Sequence, residues 1–217
     1  MINPFLMLLP SKENLEHIGA PHTWRTSYFI VVAGTSLLAW LKSCLKGSSP
    51  GTDLIVLAAA LIVMSISLYV IWSLVALLSY LFSILVVPMK RISYMRIFSL
   101  VSYCGIIFLI GELVNFILLR IPLLKIRSSV FPNRFPIGLD LLLNGGHPSL
   151  PLAILMHSIN PIIIWYCATL SLGLHRITGV SKMGAGIIVG SIWVIGIGSV
   201  ALIASVLGGT TIGLKIG

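Results

Sequence analysis

The chain has 217 residues, of which 58% are hydrophobic and 9% charged, with 14 Lys and Arg against 5 Asp and Glu. Soluble domains carry about 25% charged and 45–50% apolar residues, so this chain has too few charges to cover a water-facing surface. Disorder is excluded on the same grounds, because it needs low hydrophobicity and high charge. The composition predicts an all-α integral membrane bundle.

Residues 1–27 read as a leading segment at the interface. They hold Pro4, Pro10, Glu13, Glu16 and Pro21. A basic start, an apolar core and a small-residue cleavage site are not seen there, so no cleavable signal peptide is expected. Ser11, followed by Asn14, Leu15 and Ile18, predicts a short amphipathic helix capped by Ser11. Trp24, Arg25 and Tyr28 then form an aromatic and basic collar of the kind found at headgroup level.

Crossing about 30 Å of hydrocarbon takes about 20 mostly apolar residues. The first such run covers about 28–45, with Lys42 near its end, able to snorkel. Lys46, Gly47, Ser48, Ser49, Pro50 and Gly51 follow as a turn-forming loop. Residues 54–87 are 34 positions without a charge, Gly or Pro. The run is too long for one upright span and has no turn to divide it, so one long tilted helix, or a helix starting outside the hydrocarbon, is expected.

A third span is expected over about 97–119. The loop after it carries Pro122, Pro132, Pro136, Gly145, Gly146 and Pro148, and its apolar piece 137–143 is expected to dip into the interface. The fourth span covers about 152–174 with Pro161 in its middle, and the fifth about 183–207, fraying at Gly208. The expected organisation is thus a leading segment, 1–27, and one five-span domain, 28–217, without an internal repeat.

The basic residues sit in short groups at span ends, where they meet anionic headgroups. No run is long enough for a nucleic acid patch, so nucleic acid is not an expected partner. Five spans put Lys12, Arg25, Lys90, Arg91, Arg96, Arg176 and Lys182 on the amino-terminal side. Lys42, Lys46, Arg120, Lys125, Arg127, Arg134 and Lys215 fall on the other. Seven against seven leaves orientation undecided.

Polar groups inside spans are costly and usually have a partner or a task. Glu112 is the one acid within a span, on a face shared with Val101, Gly105, Phe108 and Asn115. It reads either as a proton or cation site, or as a carboxyl paired with another polar group between helices. His157 and Asn160 are three apart and so share a face of the fourth span. Pro161 lacks a backbone donor and frees the carbonyl of His157, which nearby polar side chains can take up. Helix-to-helix hydrogen bonding is favoured there over a metal, haem or proton site, since no second His lies in a span interior. Gly186 and Gly190 form a GxxxG, continued at four-residue steps by Ala201, Ser205 and Gly209. Such a face lets helices approach closely, within the bundle or against another subunit.

Cys44, Cys104 and Cys167 are far apart in sequence and read as small apolar residues. No P-loop, HExxH, GxSxG or pair of intramembrane acids is found. Neither catalysis nor a cofactor is therefore expected.

The stretch Leu155-Met-His-Ser-Ile-Asn-Pro-Ile-Ile-Ile-Trp165 is followed by Leu172-Gly-Leu-His-Arg-Ile-Thr-Gly-Val-Ser181 and a span containing Trp193. This resembles the carboxy-terminal half of the Yip domain family, the Rab-GTPase-interacting type of five-span membrane protein. Its bacterial members are the most similar, with Asp-Pro-Phe-x-Ile-Trp, then Gly-Leu, then Gly-x-Ser. Leu9-Pro-Ser-Lys-Glu-Asn-Leu15 resembles the family's helix before the first span, and Ile92-Ser-Tyr-Met-Arg-Ile-Phe-Ser-Leu-Val-Ser-Tyr103 its third-span opening.

This chain departs from the family in having Asn160 where Asp is usual, Ile162 where Phe is usual, and Gly111-Glu112 where relatives often place Pro. The resemblance implies a cytoplasmic amino terminus in a bacterial inner membrane. The long tail of eukaryotic members is missing, which argues against small-GTPase binding. The expected role is a non-enzymatic scaffold or accessory subunit, with other membrane subunits and lipids as partners. A small transporter using Glu112, Asn115, His157 and Asn160 is the alternative.

Overall fold

The computed structural model describes residues 23–44, 50–87, 92–120, 138–143 and 149–213. The elements among them are all helical: α1 Thr23–Cys44, α2 Pro50–Val86, α3 Tyr94–Leu118, a 3-10 helix Leu139–Leu143, α4 Leu150–Ser158, α5 Pro161–Thr178 and α6 Lys182–Gly213. The segment around Ser11 lies outside the described residues.

The uncharged run in the second segment forms one unbroken helix. α2 has 37 residues, about 55 Å at 1.5 Å each. Nothing inside it breaks the backbone ladder, and Pro50 stands at its start, where a missing N–H costs nothing. Several polar side chains in the helices are satisfied locally. Ser65, Ser171, Thr178 and Ser199 each donate to the carbonyl four residues earlier, so no partner from water is needed.

Helices in lipid gain nothing from hydrophobic collapse and associate by close packing. α3 is the centre of that packing: 61% of its most apolar stretch is buried, against 11% for α2 and 17% for α6. Its neighbours are α1, α2 and α5. Side chains seat on glycines at each seam: Leu109 on Gly34, Trp72 on Gly105, Ile162 on Gly111 and Leu100 on Gly173. These seatings set α1 and α3 parallel and α5 antiparallel to both. α6 packs on α5, α4 and α2.

At the amino-terminal end the seams are aromatic. Trp24 meets Phe98 edge-on with centroids 5.4 Å apart, Tyr28 meets Trp72 at 5.8 Å, and Tyr69 meets Phe98 at 5.8 Å. Each such pair contributes about 0.5–1.5 kcal/mol beyond its buried area. The predicted collar is therefore also part of the core, linking α1, α2 and α3.

Among the described residues three helices are long and apolar enough to cross a membrane: α2 over Leu57–Val86, α3 over Tyr94–Leu118 and α6 over Lys182–Val206. The pair α4 and α5 adds a fourth if counted as one crossing. α1 falls short of the five expected crossings in composition, because Arg25, Thr26, Ser27, Thr35, Ser36 and Lys42 dilute its apolar residues.

Two further expectations are corrected. The fourth segment is two helices, bent by 56° at the break, and not one continuous helix with Pro161 in its middle. Fraying at Gly208 does not occur, since the backbone of α6 stays helical to Gly213. The apolar piece near residue 140 is the short 3-10 helix, packed on α4.

Candidate functional site

The polar residues singled out in the sequence gather toward one end of the bundle. α1 and α3 run parallel, so Lys42 near the end of α1 comes level with Glu112 near the end of α3. Lys42 Nζ donates to Glu112 Oε2 at 3.1 Å, and both side chains are about one-third exposed (35% and 32%). The sequence placed Lys42 as a snorkelling residue and Glu112 as an acid to be explained. Their pairing joins the two readings and was missed because 70 positions separate them. Matching their depths in two parallel spans would have found it. Asn115, one turn further along α3, is buried.

Directly beside this level lies the break in the fourth segment, since Ile162 seats on Gly111. Asn160 organises the break. Its backbone is extended, with φ −137° and ψ 160°, so it belongs to neither helix and its side chain is placed between them. Nδ2 donates to the carbonyl of His157 at 2.7 Å. That is the carbonyl Pro161 leaves without an amide. Oδ1 accepts from the Ile163 amide at 3.0 Å and so caps α5. One side chain thus closes both free backbone ends. His157 and Asn160 do not share a helix face, as the unbroken span would have required. They meet through the His157 main chain.

A third contact completes the break. The Leu139 amide donates to the Ile159 carbonyl at 3.0 Å. The approach is close because residue 138 is Gly: a Cβ there would stand 2.5 Å from the Ile159 oxygen and 2.8 Å from Asn160 Cβ. Gly138 and Leu139 belong to the site and were not picked out from sequence, where they look like part of a Pro- and Gly-rich loop. Trp165, one turn into α5, is half-buried against the core.

At the other side of the molecule, Gly186 and Gly190 open onto empty space. Apart from the helix's own nearby backbone, no atom comes within 4 Å of where a Cβ would stand on either, and the same holds for Gly196 and Gly198. The small-residue face of α6 is therefore not used within the described bundle. The three cysteines are free thiols. Among the described residues no group of three or more His, Cys, Asp or Glu could hold a metal ion.

The arrangement binds backbone to backbone and helix to helix. The Yip1 domain matches the sequence over residues 5–203, which includes every element described above except the last turns of α6. No curated protein and no solved structure matches the chain. With the domain covering nearly its whole length, the chain belongs to the Yip1 domain family and is an integral membrane protein.

Proposed function

We propose that this is a non-enzymatic multi-pass protein acting as a scaffold or accessory subunit of a larger membrane complex. The observation that carries this reading is the open small-residue face of α6, with nothing within 4 Å of Gly186 or Gly190. A helix with such a face can meet another helix at close range, where van der Waals contact and Cα–H hydrogen bonds accumulate. The polar residues at span depth have structural partners: Asn160 serves the backbone and Glu112 holds Lys42.

In this reading α1 and the α4–α5 pair each cross the bilayer, giving five crossings. The amino terminus faces the cytoplasm of a bacterial cell, and the partners are other membrane subunits and lipids. Mild solubilisation followed by size-exclusion and mass analysis tests the role. Co-elution with other membrane subunits, in place of a lone species of 23.5 kDa, is expected. A chain that runs alone in every mild detergent would overturn it.

The second reading, a small transporter, is favoured by the partly exposed Lys42–Glu112 pair beside a broken helix. Liposome flux separates the two. Flux that Glu112→Gln abolishes would establish transport, and absence of flux in the unaltered protein would exclude it.

A further inference from the structure

The amino-terminal end of the bundle carries a cationic surface, which gives the lipid partnership of the proposed function a definite place. Arg25 lies in the first turn of α1, Arg96 in the first turn of α3, Arg176 in the last turn of α5 and Lys182 at the start of α6, and all four are exposed. The Trp24–Phe98 contact and the seating of Leu100 on Gly173 bring these helix ends to one level.

The turn joining α5 to α6 is fixed there. Gly179 has φ 78°, a left-handed cap that favours glycine, and His175 Nδ1 lies 2.6 Å from the Val180 carbonyl oxygen. Ser181 Oγ accepts from the Gly184 amide at 3.0 Å. Arg176 and Lys182 thereby flank one fixed turn. Under this surface lies the aromatic cluster, with the Arg25 guanidinium 5.8 Å from the Trp24 ring centroid.

At the opposite end Lys42 is engaged by Glu112. Among the described residues no ion pair involves Arg25, Arg96, Arg176 or Lys182.

We propose that this end is a docking surface for the anionic phospholipid headgroups of the leaflet it faces. The charges spread over four helix ends, which suits an extended surface better than one small anion. Guanidinium groups bind phosphate through paired N–H donors, and the aromatic belt fixes their depth at the headgroups. Each Lys or Arg near such a surface adds about fivefold in association at low salt. This surface is independent of the scaffold role.

The test uses the full chain in phosphatidylcholine vesicles with rising fractions of brominated phosphatidylglycerol, read by tryptophan quenching. An enrichment of about fivefold or more around the protein is expected. It should fall toward one in Arg25→Gln/Arg96→Gln/Arg176→Gln/Lys182→Gln and persist in Arg120→Gln. It should also fall at about 0.5 M salt, where screening extends only a few ångströms, and that arm reads the unaltered chain. Inorganic phosphate at matched ionic strength should leave it unchanged. No enrichment in the parent, equal enrichment in the fourfold variant, or loss to phosphate alone would each overturn the proposal.

Discussion

Asn160 hydrogen-bonds to both sides of the helix break, donating to the His157 carbonyl and accepting from the Ile163 amide. A buried backbone group stripped of its partner costs about 1–3 kcal/mol. Asn160→Ala removes both bonds, so it should lower unfolding stability in detergent by about that much or more. Asn160→Asp keeps the acceptor for Ile163 and loses the donor to His157. Its carboxyl regains a donor when it carries a proton, so this variant should approach the parent as pH falls and drop below it as pH rises. Thermal unfolding of both variants across pH checks this, and an Asn160→Asp variant insensitive to pH would contradict it.

The Lys42–Glu112 pair makes a separate prediction. Lys42→Met takes away the ammonium and should cost about 1 kcal/mol, since the pair is partly open to solvent. Glu112→Gln should cost a similar amount. The double variant should cost less than the sum of the two, the mark of a direct interaction. Additive losses in a double-mutant cycle would mean that the pair contributes nothing.

Trp72 fills the space a side chain would need at position 105. Gly105→Ala therefore forces the indole aside or spreads α2 from α3. The expected loss is about 1–3 kcal/mol, the usual range for overpacking. Trp72→Phe in the same background should recover part of it, because a smaller ring leaves room. If Gly105→Ala is as stable as the parent, the seating of α2 on α3 is not as close as described.

The opposite outcome is expected at the open face of α6. Gly186→Leu and Gly190→Leu each place a Cβ where no neighbour stands, so monomer stability should stay within about 0.5 kcal/mol of the parent. Co-purification of partner subunits should be lost. Retained partners with both leucines in place would move the contact to another face.

The sequence made some of this architecture legible and hid the rest for physical reasons. The long second helix was readable because residues 54–87 contain no breaker. Pro161 announced a freed carbonyl, and its neighbour Asn160 was already singled out. The bend was not readable. A proline in a span can kink it or end it, and here the outcome is set by Gly138 and Leu139, about twenty positions away, meeting Ile159. The partner of Glu112 was hidden for the same reason, being a contact between helices and not along one. α1 shows the converse limit. Its helix formed as expected, yet its polar residues keep it below the apolarity of the other long helices.

The apolar part of α2 has a consequence for where the protein can reside. Its 30 residues from Leu57 to Val86 extend about 45 Å, half again the usual hydrocarbon depth. Fitting that into a bilayer of about 30 Å requires a lean of about 50°, beyond the tilts common for membrane helices. A thicker bilayer relieves the lean. An apolar stretch of this length is matched better by thick patches of membrane than by thin ones.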